Sequence, residues 1–440
     1  MTPHSRHAPS AFAAIISSVA LFASGLASAQ STTQALRIED AVQLALSRNE
    51  RARIADLNVA VSRAAVDRAR AGFLPVANVT ANDTLRPVTA DRTGVTPSAN
   101  TGNAAITVTQ PLINAPAWPL YSQAKENLEG TRAQTIDDKR VLAFDAARAF
   151  FGVLTQQAVL QAADRRLGSA RANLENAQAR VAAQLASSND VTRALINSAA
   201  SEREVELDRG NVDGAVVQLG FVINSRVTGS LLPPQETLRV ARQPAGELES
   251  LVKFAFDHRP DVLARRHFGV AAHDFAREPM MRLVPVVGLT GQATATTAAP
   301  PTGRWNDESL ALTLTWPLYD AGIRYADKRS REASADIADL NTQALLRSVD
   351  SQVRSAVVAL RSAQAALGAA QKAMDASRLG VTETEILYRQ GLARAIELVD
   401  ANDQRFGSEV AYASAEYQMA LAYLGLREAL GLDALGTELR

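Results

Sequence analysis

The sequence predicts a mainly α-helical protein built from long coiled-coil hairpins and four short β-strands, with one half repeating the other. Apolar and small residues recur at alternating steps of three and four from Leu346 to Tyr388, which is the heptad spacing of a supercoiled helix. The same seam runs from Val153 to Val181, displaced by 207 residues. Four stretches of about ten residues alternate apolar and polar side chains, as strands with one apolar face do.

The composition excludes several classes of site. The 440 residues include 46 basic and 46 acidic side chains, and this balance gives no indication of nucleic acid as a partner. There is no cysteine, so disulfides, thiolate metal ligands, a cysteine nucleophile and a lipid anchor on an N-terminal cysteine are excluded. The heptad segment from Leu346 to Tyr388 cannot cross a bilayer as a helix, because charged residues such as Arg347, Asp350 and Arg354 interrupt it.

Residues 1–29 have the pattern of a secretory signal peptide. Arg6 provides a basic start, an apolar core runs from Ala11 to Leu26, and Ala27-Ser28-Ala29 forms a small-residue cleavage pattern. A retained membrane anchor is the alternative interpretation of the same stretch. We expect the chain to be exported.

The first repeat is predicted over residues 30–227, and its elements follow from changes in periodicity. Helical spacing precedes Gly72, alternation follows Pro75, and the Ser187-Ser188-Asn189-Asp190 segment has turn and N-cap chemistry. The predicted elements are a helix from Ile38 to Ala71, a strand near 77–82, a loop over 83–103, a strand closed by Gln110-Pro111-Leu112, a long helix over about 120–185 and a returning helix over about 190–225.

The second repeat is predicted over residues 247–430, after a Pro- and Gly-rich linker at 228–246 and before a tail at 431–440. Two strands near 287–296 and 310–316, a long helix, a turn near Gly391 and a last helix repeat the order of the first half. Trp316-Pro317-Leu318 takes the place of Gln110-Pro111-Leu112.

The strands have the length and alternation of membrane-barrel strands, and five aromatic residues flank them where an interfacial girdle would lie. Four strands cannot close a barrel, and an open edge in lipid would leave backbone groups without partners. Either the sheet is soluble and covered, or several chains share one barrel. The girdle residues are Trp118, Tyr121, Trp305, Trp316 and Tyr319.

The chain resembles the TolC-type outer-membrane efflux protein family over essentially its whole mature length. The order, spacing and duplication of short motifs carry this resemblance. The motifs are Gly72-Phe73-Leu74-Pro75, Gln110-Pro111-Leu112, Leu283-Val284-Pro285, Trp316-Pro317-Leu318-Tyr319-Asp320-Ala321-Gly322, Tyr388-Arg389-Gln390-Gly391-Leu392 and Glu397-Leu398-Val399-Asp400.

The resemblance implies a homotrimer in the outer membrane of a Gram-negative bacterium, with a 12-stranded barrel and a helical tunnel that extends through the periplasm. The tunnel would dock on a periplasmic adaptor and an inner-membrane pump. The implied function is a passive exit duct for efflux of small molecules or for type I protein secretion. The alternative from the heptads alone is an exported coiled-coil structural or adhesive protein.

The resemblance also implies roles for residues near the two hairpin tips. Glu397 and Asp400, three residues apart on one helix face, match an acidic ring at the periplasmic mouth; the alternative is a solvated acidic turn. Asp190 and Tyr388 match a periplasmic gate, with Arg394 as a third candidate because Ala393 stands where the family has arginine. The adaptor-docking tips would be Gln184, Leu185, Gly391 and Leu392, with Gln184 at the position of the second tip's glycine.

No motif in the sequence predicts an enzyme or a cofactor. There is no phosphate-binding glycine loop, nucleophile elbow or zinc-helix motif. His258, His267 and His273 have no carboxylate at ligand spacing in the sequence, so surface histidines are favoured over a metal site.

Overall fold

A computed structural model describes residues 35–85, 100–297 and 303–436, so the predicted signal peptide at 1–29 lies outside the described residues. The elements are α1 (Ile38–Arg48), α2 (Glu50–Arg70), a 3-10 turn (Ala71–Phe73), β1 (Val76–Leu85), β2 (Asn100–Ile113), α3 (Ala117–Ala182), α4 (Ser188–Ile223), α5 (Gln235–Ala241), α6 (Leu248–His258), α7 (Pro260–Met281), β3 (Val286–Thr296), β4 (Asn306–Thr315), α8 (Ile323–Arg389) and α9 (Ala395–Ala429).

Two helical hairpins, α3 with α4 and α8 with α9, make up about half of the chain. Helices α3 and α8 have 66 and 67 residues, and at 1.5 Å per residue each is roughly 100 Å long. The predicted heptad seam of α8 is buried at its large positions, including Val353, Leu360 and Leu367. The predicted long hairpins are therefore confirmed.

The helix predicted over Ile38–Ala71 is two helices in the structure, because the chain turns at Asn49. The Asn49 backbone is extended, its side-chain oxygen accepts from the Arg51 N–H, and its Nδ2 donates to the Val222 carbonyl at 2.8 Å. Arg259 separates α6 from α7 in the same way. Its backbone is extended, and its Nη1 donates to the Ala429 carbonyl at 3.1 Å. Periodicity continues across such a turn, so spacing alone did not reveal it.

The predicted linker at 228–246 contains the short helix α5. Leu238 and Ala241 of this helix are buried. Gln364 of α8 donates hydrogen bonds to the carbonyls of Ala241 and Gln243, both at 2.8 Å. The segment is thereby fixed to the second hairpin.

The four strands form one antiparallel sheet in the order β1-β2-β3-β4, so the two repeats join where β2 pairs with β3. Strand β2 does not end at Gln110-Pro111-Leu112 as predicted but continues to Ile113, with a register shift between Pro111 and Ile113. Proline has no N–H for the ladder, and a bulge accommodates it. Within the described residues, β1 and β4 each pair on one side only.

The two faces of the sheet have different chemistry. Leu310, Leu312 and Leu314 of β4 lie on one face, and the register places Leu289 opposite Leu312 on that face. Thr313 and Thr315 lie on the other face of β4. On the same face of the sheet, the hydroxyl oxygens of Thr109 and Thr290 lie 3.4 Å apart. The three β4 leucines are 61–74% exposed, so nothing among the described residues covers the apolar face.

The two larger hydrophobic cores lie near the middle of α3 and α8, where the shorter returning helices α4 and α9 end. The first centres on Phe144, Phe150 and Phe151 of α3, which are fully buried, and it includes Leu424 of α9. The second joins α6, α7, α8 and α9 around Val353. Burial of such side chains contributes about 1.5–3 kcal/mol each. Within the described part of the chain, no helix combines the length and apolar character needed to span a bilayer.

Candidate functional site at the hairpin tips

The two hairpin tips have the same backbone, residue for residue. Gln184 and Gly391 are both left-handed, with φ of 60° and 76°. The Leu185 N–H donates to the Arg180 carbonyl at 2.8 Å, and the Leu392 N–H donates to the Leu387 carbonyl at 2.9 Å. This is the Schellman hydrogen bond that ends a helix. The absence of glycine at the first tip therefore does not make the tips different in backbone structure.

The returning helices begin with different side-chain chemistry. At the first tip, the Asp190 carboxylate accepts from the Ser187 N–H at 3.3 Å, and the Ser187 hydroxyl accepts from the Asn189 N–H. At the second tip, the equivalent residues Arg394 and Glu397 form an ion pair at 3.0 Å. Asp190 thus stabilises the start of its own helix, as an acidic residue in a capping box does.

Asp190, Tyr388 and Arg394 all border one groove of about 730 Å³ between the two hairpins. The Arg180 guanidinium lies 4.6 Å from the centre of the Tyr388 ring, and its Nη1 donates to the Tyr388 carbonyl at 3.4 Å. A cation over an aromatic face contributes about 0.5–2 kcal/mol. The contact joins the first hairpin to the second.

Arg180 is the residue of this groove that the sequence analysis missed. It lies on α3, about one turn before the first tip, and its distance in sequence from Tyr388 hides the contact. The departure of Ala393 from the family pattern was the available signal that another arginine could serve there. Asn173 borders the same groove, and its buried Nδ2 has no hydrogen-bond partner among the described residues.

Glu397 and Asp400 are both exposed on the first turns of α9. Arg394, whose side chain is 83% exposed, neutralises part of the Glu397 charge. Within the described residues no salt bridge reaches Asp400. Each chain therefore presents one paired and one unpaired carboxylate on this surface.

The five predicted girdle residues lie at the two ends of the sheet. Trp118 and Tyr121 pack edge-on against Phe73 at 5.1 and 6.0 Å, at the end where the helices begin. Trp316 and Tyr319 are at the same end, just after β4. Trp305 precedes β4 at the opposite end, where its carbonyl accepts from the Thr296 N–H. Ten strand residues separate the ends by about 30 Å, which matches the hydrocarbon thickness of a bilayer.

A buried ion cluster joins the hairpins farther from the tips. The Glu409 side chain of α9 is 4% exposed and accepts from Arg165 of α3 at 2.9 Å and from Arg405 at 3.1 Å, with Arg378 of α8 at 3.5 Å. Burial opposes ionisation of Glu409, but the hydrogen bonds from Arg405 and Arg165 outweigh it and lower the pKa of this carboxyl.

Two of the histidines have carboxylate partners that the sequence did not reveal, because the partners come from other helices. His267 Nδ1 lies 2.7 Å from Glu126 of α3, and His273 Nε2 lies 3.0 Å from Asp339 of α8. His258 stacks on Phe254. In the described ranges, no group of three or more histidine, cysteine or acidic side chains is placed to hold a metal.

Comparison with known proteins identifies relatives over most of the chain. A family model for outer membrane efflux proteins matches residues 41–225 and 251–432. The outer membrane protein TolC of Salmonella enteritidis is 23% identical over 386 residues, covering 83% of this chain and 76% of TolC. OprJ of Pseudomonas aeruginosa, another outer membrane protein, is 24% identical over 179 residues, covering 40% of this chain and 37% of OprJ.

Solved structures share the fold at low sequence identity. The Campylobacter jejuni CmeC outer membrane channel has a TM-score of 0.78 at 15% identity, covering 91% of this chain and 86% of CmeC. The Neisseria gonorrhoeae MtrE outer membrane channel, solved in its open state, has a TM-score of 0.77 at 20% identity, covering 91% of each chain. The resemblance inferred from the motifs is confirmed, and the chain belongs to the outer membrane efflux protein family, whose members are channels rather than enzymes.

Proposed function

We propose that three copies of this chain form a passive exit duct of a tripartite efflux machine in the outer membrane. The observation that supports this most is the four-stranded sheet with one apolar face, in which β1 and β4 pair on one side only among the described residues. Such edges require partners in lipid. Three copies supply twelve strands, an even number within the range of membrane barrels.

The hairpins would then form the wall of a periplasmic tunnel about as long as α3 and α8. An inner-membrane pump would deliver cargo to this tunnel through a periplasmic adaptor. We infer small molecules as the cargo, with protein secretion as the second candidate. The pump, rather than the duct, would set cargo specificity.

The adaptor would dock at the two tips, around Gln184-Leu185 and Gly391-Leu392. Leu185 and Leu392 are 72% and 73% exposed, and a Cβ added at Gly391 would meet only open space. A bulky Gly391→Trp change would block close approach of an adaptor hairpin. Export should be lost while the number of chains per particle is unchanged. Export that persists in this variant would show that the adaptor docks at another place.

Glu397 and Asp400 would form the acidic mouth of the resting tunnel, and the groove with Asp190, Tyr388 and Arg394 would form its gate. Opening would require relative movement of the packed hairpins, triggered by the adaptor. The contact between Arg180 and Tyr388 would resist this movement. We therefore add Arg180 to the gate residues inferred from the family.

Conductance in a planar lipid bilayer tests the duct directly. The purified protein should insert and conduct ions in discrete steps of one size. An exported structural or adhesive coiled coil would give no steps. The cargo would be identified by deleting the gene and screening drugs, metal ions and secreted proteins for those whose export is lost.

A further inference from the structure

The end of the sheet where the helices begin carries exposed aromatic side chains. Trp118 at the start of α3 and Trp316 just after β4 are 67% and 56% exposed. The Phe73 ring packs against Trp118 and Tyr121, so the end of α2 and the first turns of α3 lie at the same height. Aromatic residues in membrane proteins concentrate at the boundary between hydrocarbon and headgroups. This layer of aromatic residues would therefore meet the lipid headgroups.

Three exposed basic residues lie in or next to the aromatic layer, one on each of three helices. Arg70 ends α2, three residues before Phe73. Lys125 of α3 has its Nζ 5.8 Å from the centre of the Tyr121 ring. Arg329 lies six residues after the start of α8. Together, Arg70, Lys125 and Arg329 form what we call the basic belt.

Contacts between helices fix the height of Arg329. Ser122 of α3 donates to Asp274 of α7 at 2.6 Å, and Arg282 of α7 pairs with Asp327 of α8 at 2.8 Å. Helix α7 runs toward the sheet, whereas α3 and α8 run away from it. Counting 1.5 Å per residue from these contacts places Arg329 within about one helical turn of the start of α3. The whole basic belt therefore lies where the helices leave the sheet.

Arg70 and Lys125 lie on the same side of the wall that α2 and α3 form. Asp56 of α2 pairs with Lys139 of α3 at 2.7 Å. Arg70 is fourteen residues after Asp56, and Lys125 is fourteen residues before Lys139. Fourteen residues are nearly four helical turns, so both belt residues project from the same side as this ion pair.

The belt side is the outer one, because shorter helices pack against it farther along. Ala143 lies eighteen residues, or five turns, after Lys125 on α3, and it is fully buried in the core that contains α1. Arg354 lies nearly seven turns after Arg329 on α8, and it pairs with Glu249 of α6 at 3.0 Å. Helices α1 and α6 would obstruct the lumen if they lay inside the tunnel. The basic belt would therefore face away from the lumen.

The acidic residues near the basic belt do not neutralise it. The Glu278 side chain is 6% exposed and pairs with Arg282 at 2.8 Å, and Asp320 pairs with Arg324 at 2.9 Å. Asp67 of α2 is exposed at the same end of the helix. Among the residues that the structure describes, no carboxylate forms a salt bridge with the basic belt. The belt thus leaves positive charge available beside the aromatic layer.

We propose that the basic belt binds the phosphate groups of anionic phospholipids in the periplasmic leaflet of the outer membrane. Basic side chains next to a membrane are attracted to anionic headgroups, and long Lys and Arg side chains can extend to them from the helix surface. Lipid is the partner because the belt continues directly from the sheet, whose apolar face hydrocarbon would cover. The inference rests on the proposed barrel.

Quenching of tryptophan fluorescence by brominated lipids measures this preference. Trp305→Phe removes the tryptophan at the far end of the sheet and leaves Trp118 and Trp316 as reporters beside the belt. The purified protein with this change would be placed in bilayers that mix phosphatidylglycerol and phosphatidylcholine, with one or the other brominated. Phosphatidylglycerol should be preferred about fivefold at the reporters, which is the gain expected from one basic side chain near anionic lipid.

The belt variant combines Arg70→Gln, Lys125→Gln and Arg329→Gln in this protein. It should abolish the preference for phosphatidylglycerol while both lipids still quench the reporters. Salt at about 1 M should weaken the preference of the parent, because the Debye length is then about 3 Å. A preference that survives in the belt variant would overturn the assignment.

The matched control combines Arg347→Gln, Arg361→Gln and Lys372→Gln, which removes the same charge from exposed positions farther along α8. This control should keep the preference of the parent. Equal association of the two lipids with the parent, or equal loss in the belt and control variants, would overturn the belt and leave the barrel in place. Reporters that neither brominated lipid quenches would overturn both.

Discussion

Gln184 and Gly391 hold the same left-handed backbone at corresponding positions of the two hairpin tips, with φ of 60° and 76°. A residue with a Cβ pays about 1–2 kcal/mol in this conformation, and glycine does not. The first tip therefore stores strain that the second lacks. This difference is local, because both tips keep the same helix-ending hydrogen bonds.

Replacement of Gln184 by glycine should stabilise the protein by about 1 kcal/mol per chain, because it relieves this strain. Gly391→Ala should destabilise it by a similar amount. Thermal unfolding of the purified protein measures both. Gln184→Ala is the matched control and should be nearly neutral, since it keeps the Cβ. Equal unfolding temperatures for Gln184→Gly and Gln184→Ala would exclude strain at this tip.

Asp208 on α4 should destabilise the protein at neutral pH. It is 6% exposed, its Oδ2 has no hydrogen-bond partner within the described residues, and burial raises the pKa of its carboxyl. The folded state then binds the proton more tightly than the unfolded state, so stability should fall as pH rises from about 3.9 through the raised pKa.

The isosteric change Asp208→Asn should remove this dependence and increase stability at pH 7 by about 1 kcal/mol or more. Unfolding temperatures of the variant and the parent, measured from pH 4 to pH 8, should diverge as the pH rises. Asp213→Asn, at an exposed position of the same helix, is the control. Parallel curves for Asp208→Asn and the parent would contradict the account.

Loss of the Glu409 charge should be strongly destabilising. Glu409→Gln removes the buried carboxylate that accepts from Arg165 and Arg405, and because these two arginines are 50% and 33% exposed and can be solvated, we expect a cost of about 1.5–3 kcal/mol. Glu129→Gln removes an exposed pair with Arg132 and should cost less than about 1 kcal/mol. Similar unfolding temperatures for the two variants would show that the cluster does not hold the hairpins together.

The same cluster gives a pH dependence of the opposite sign to that of Asp208. The pKa of Glu409 is lowered in the folded protein, so its contribution is complete above the unfolded value of about 4.3. It should be lost as pH falls through the lowered pKa. Glu409→Gln should abolish this acid-dependent part of the stability.

Asp400 should contribute more than Glu397 to cation selectivity, because Arg394 pairs with Glu397 at 3.0 Å. Asp400→Asn should reduce selectivity and weaken block by divalent cations from the periplasmic side, through loss of a focused negative potential. Arg394→Ala should increase both. Single-channel recording with the same salt gradient measures these effects, and the double change Glu397→Ala, Asp400→Ala should bring selectivity close to neutral. Unchanged selectivity in the double variant would support the alternative interpretation, in which both residues lie on a solvated acidic turn outside the lumen.

The sequence predicted the helical hairpins and the strands because each depends on a periodicity that is local in the chain. Leu360 and Leu367 are buried where heptad spacing requires it, and Ile106 and Val108 alternate with threonine as a strand requires. The turn at Asn49 and the helix α5 were missed, because they depend on contacts with residues such as Val222 and Gln364, more than a hundred positions away.

Recognisable motifs placed Gly391, Glu397 and Asp400 near the second hairpin tip, and the structure has them there, while their functional roles stay predictions. Arg180 was not predicted, because its role depends on the packing of α3 against the Tyr388 ring. The partners of His267 and His273 were missed for the same reason, since Glu126 and Asp339 lie on other helices. Contacts between segments that are distant in the sequence do not produce a regular spacing of residues, so a sequence pattern cannot reveal them.

The number of chains in one particle tests the central proposal most directly. Protein extracted from the outer membrane in a mild detergent can be weighed by native mass spectrometry. The proposal predicts three chains per particle, because the open edges at β1 and β4 must be paired by further copies in lipid and the family resemblance implies a trimer. A stable particle of one chain would contradict it.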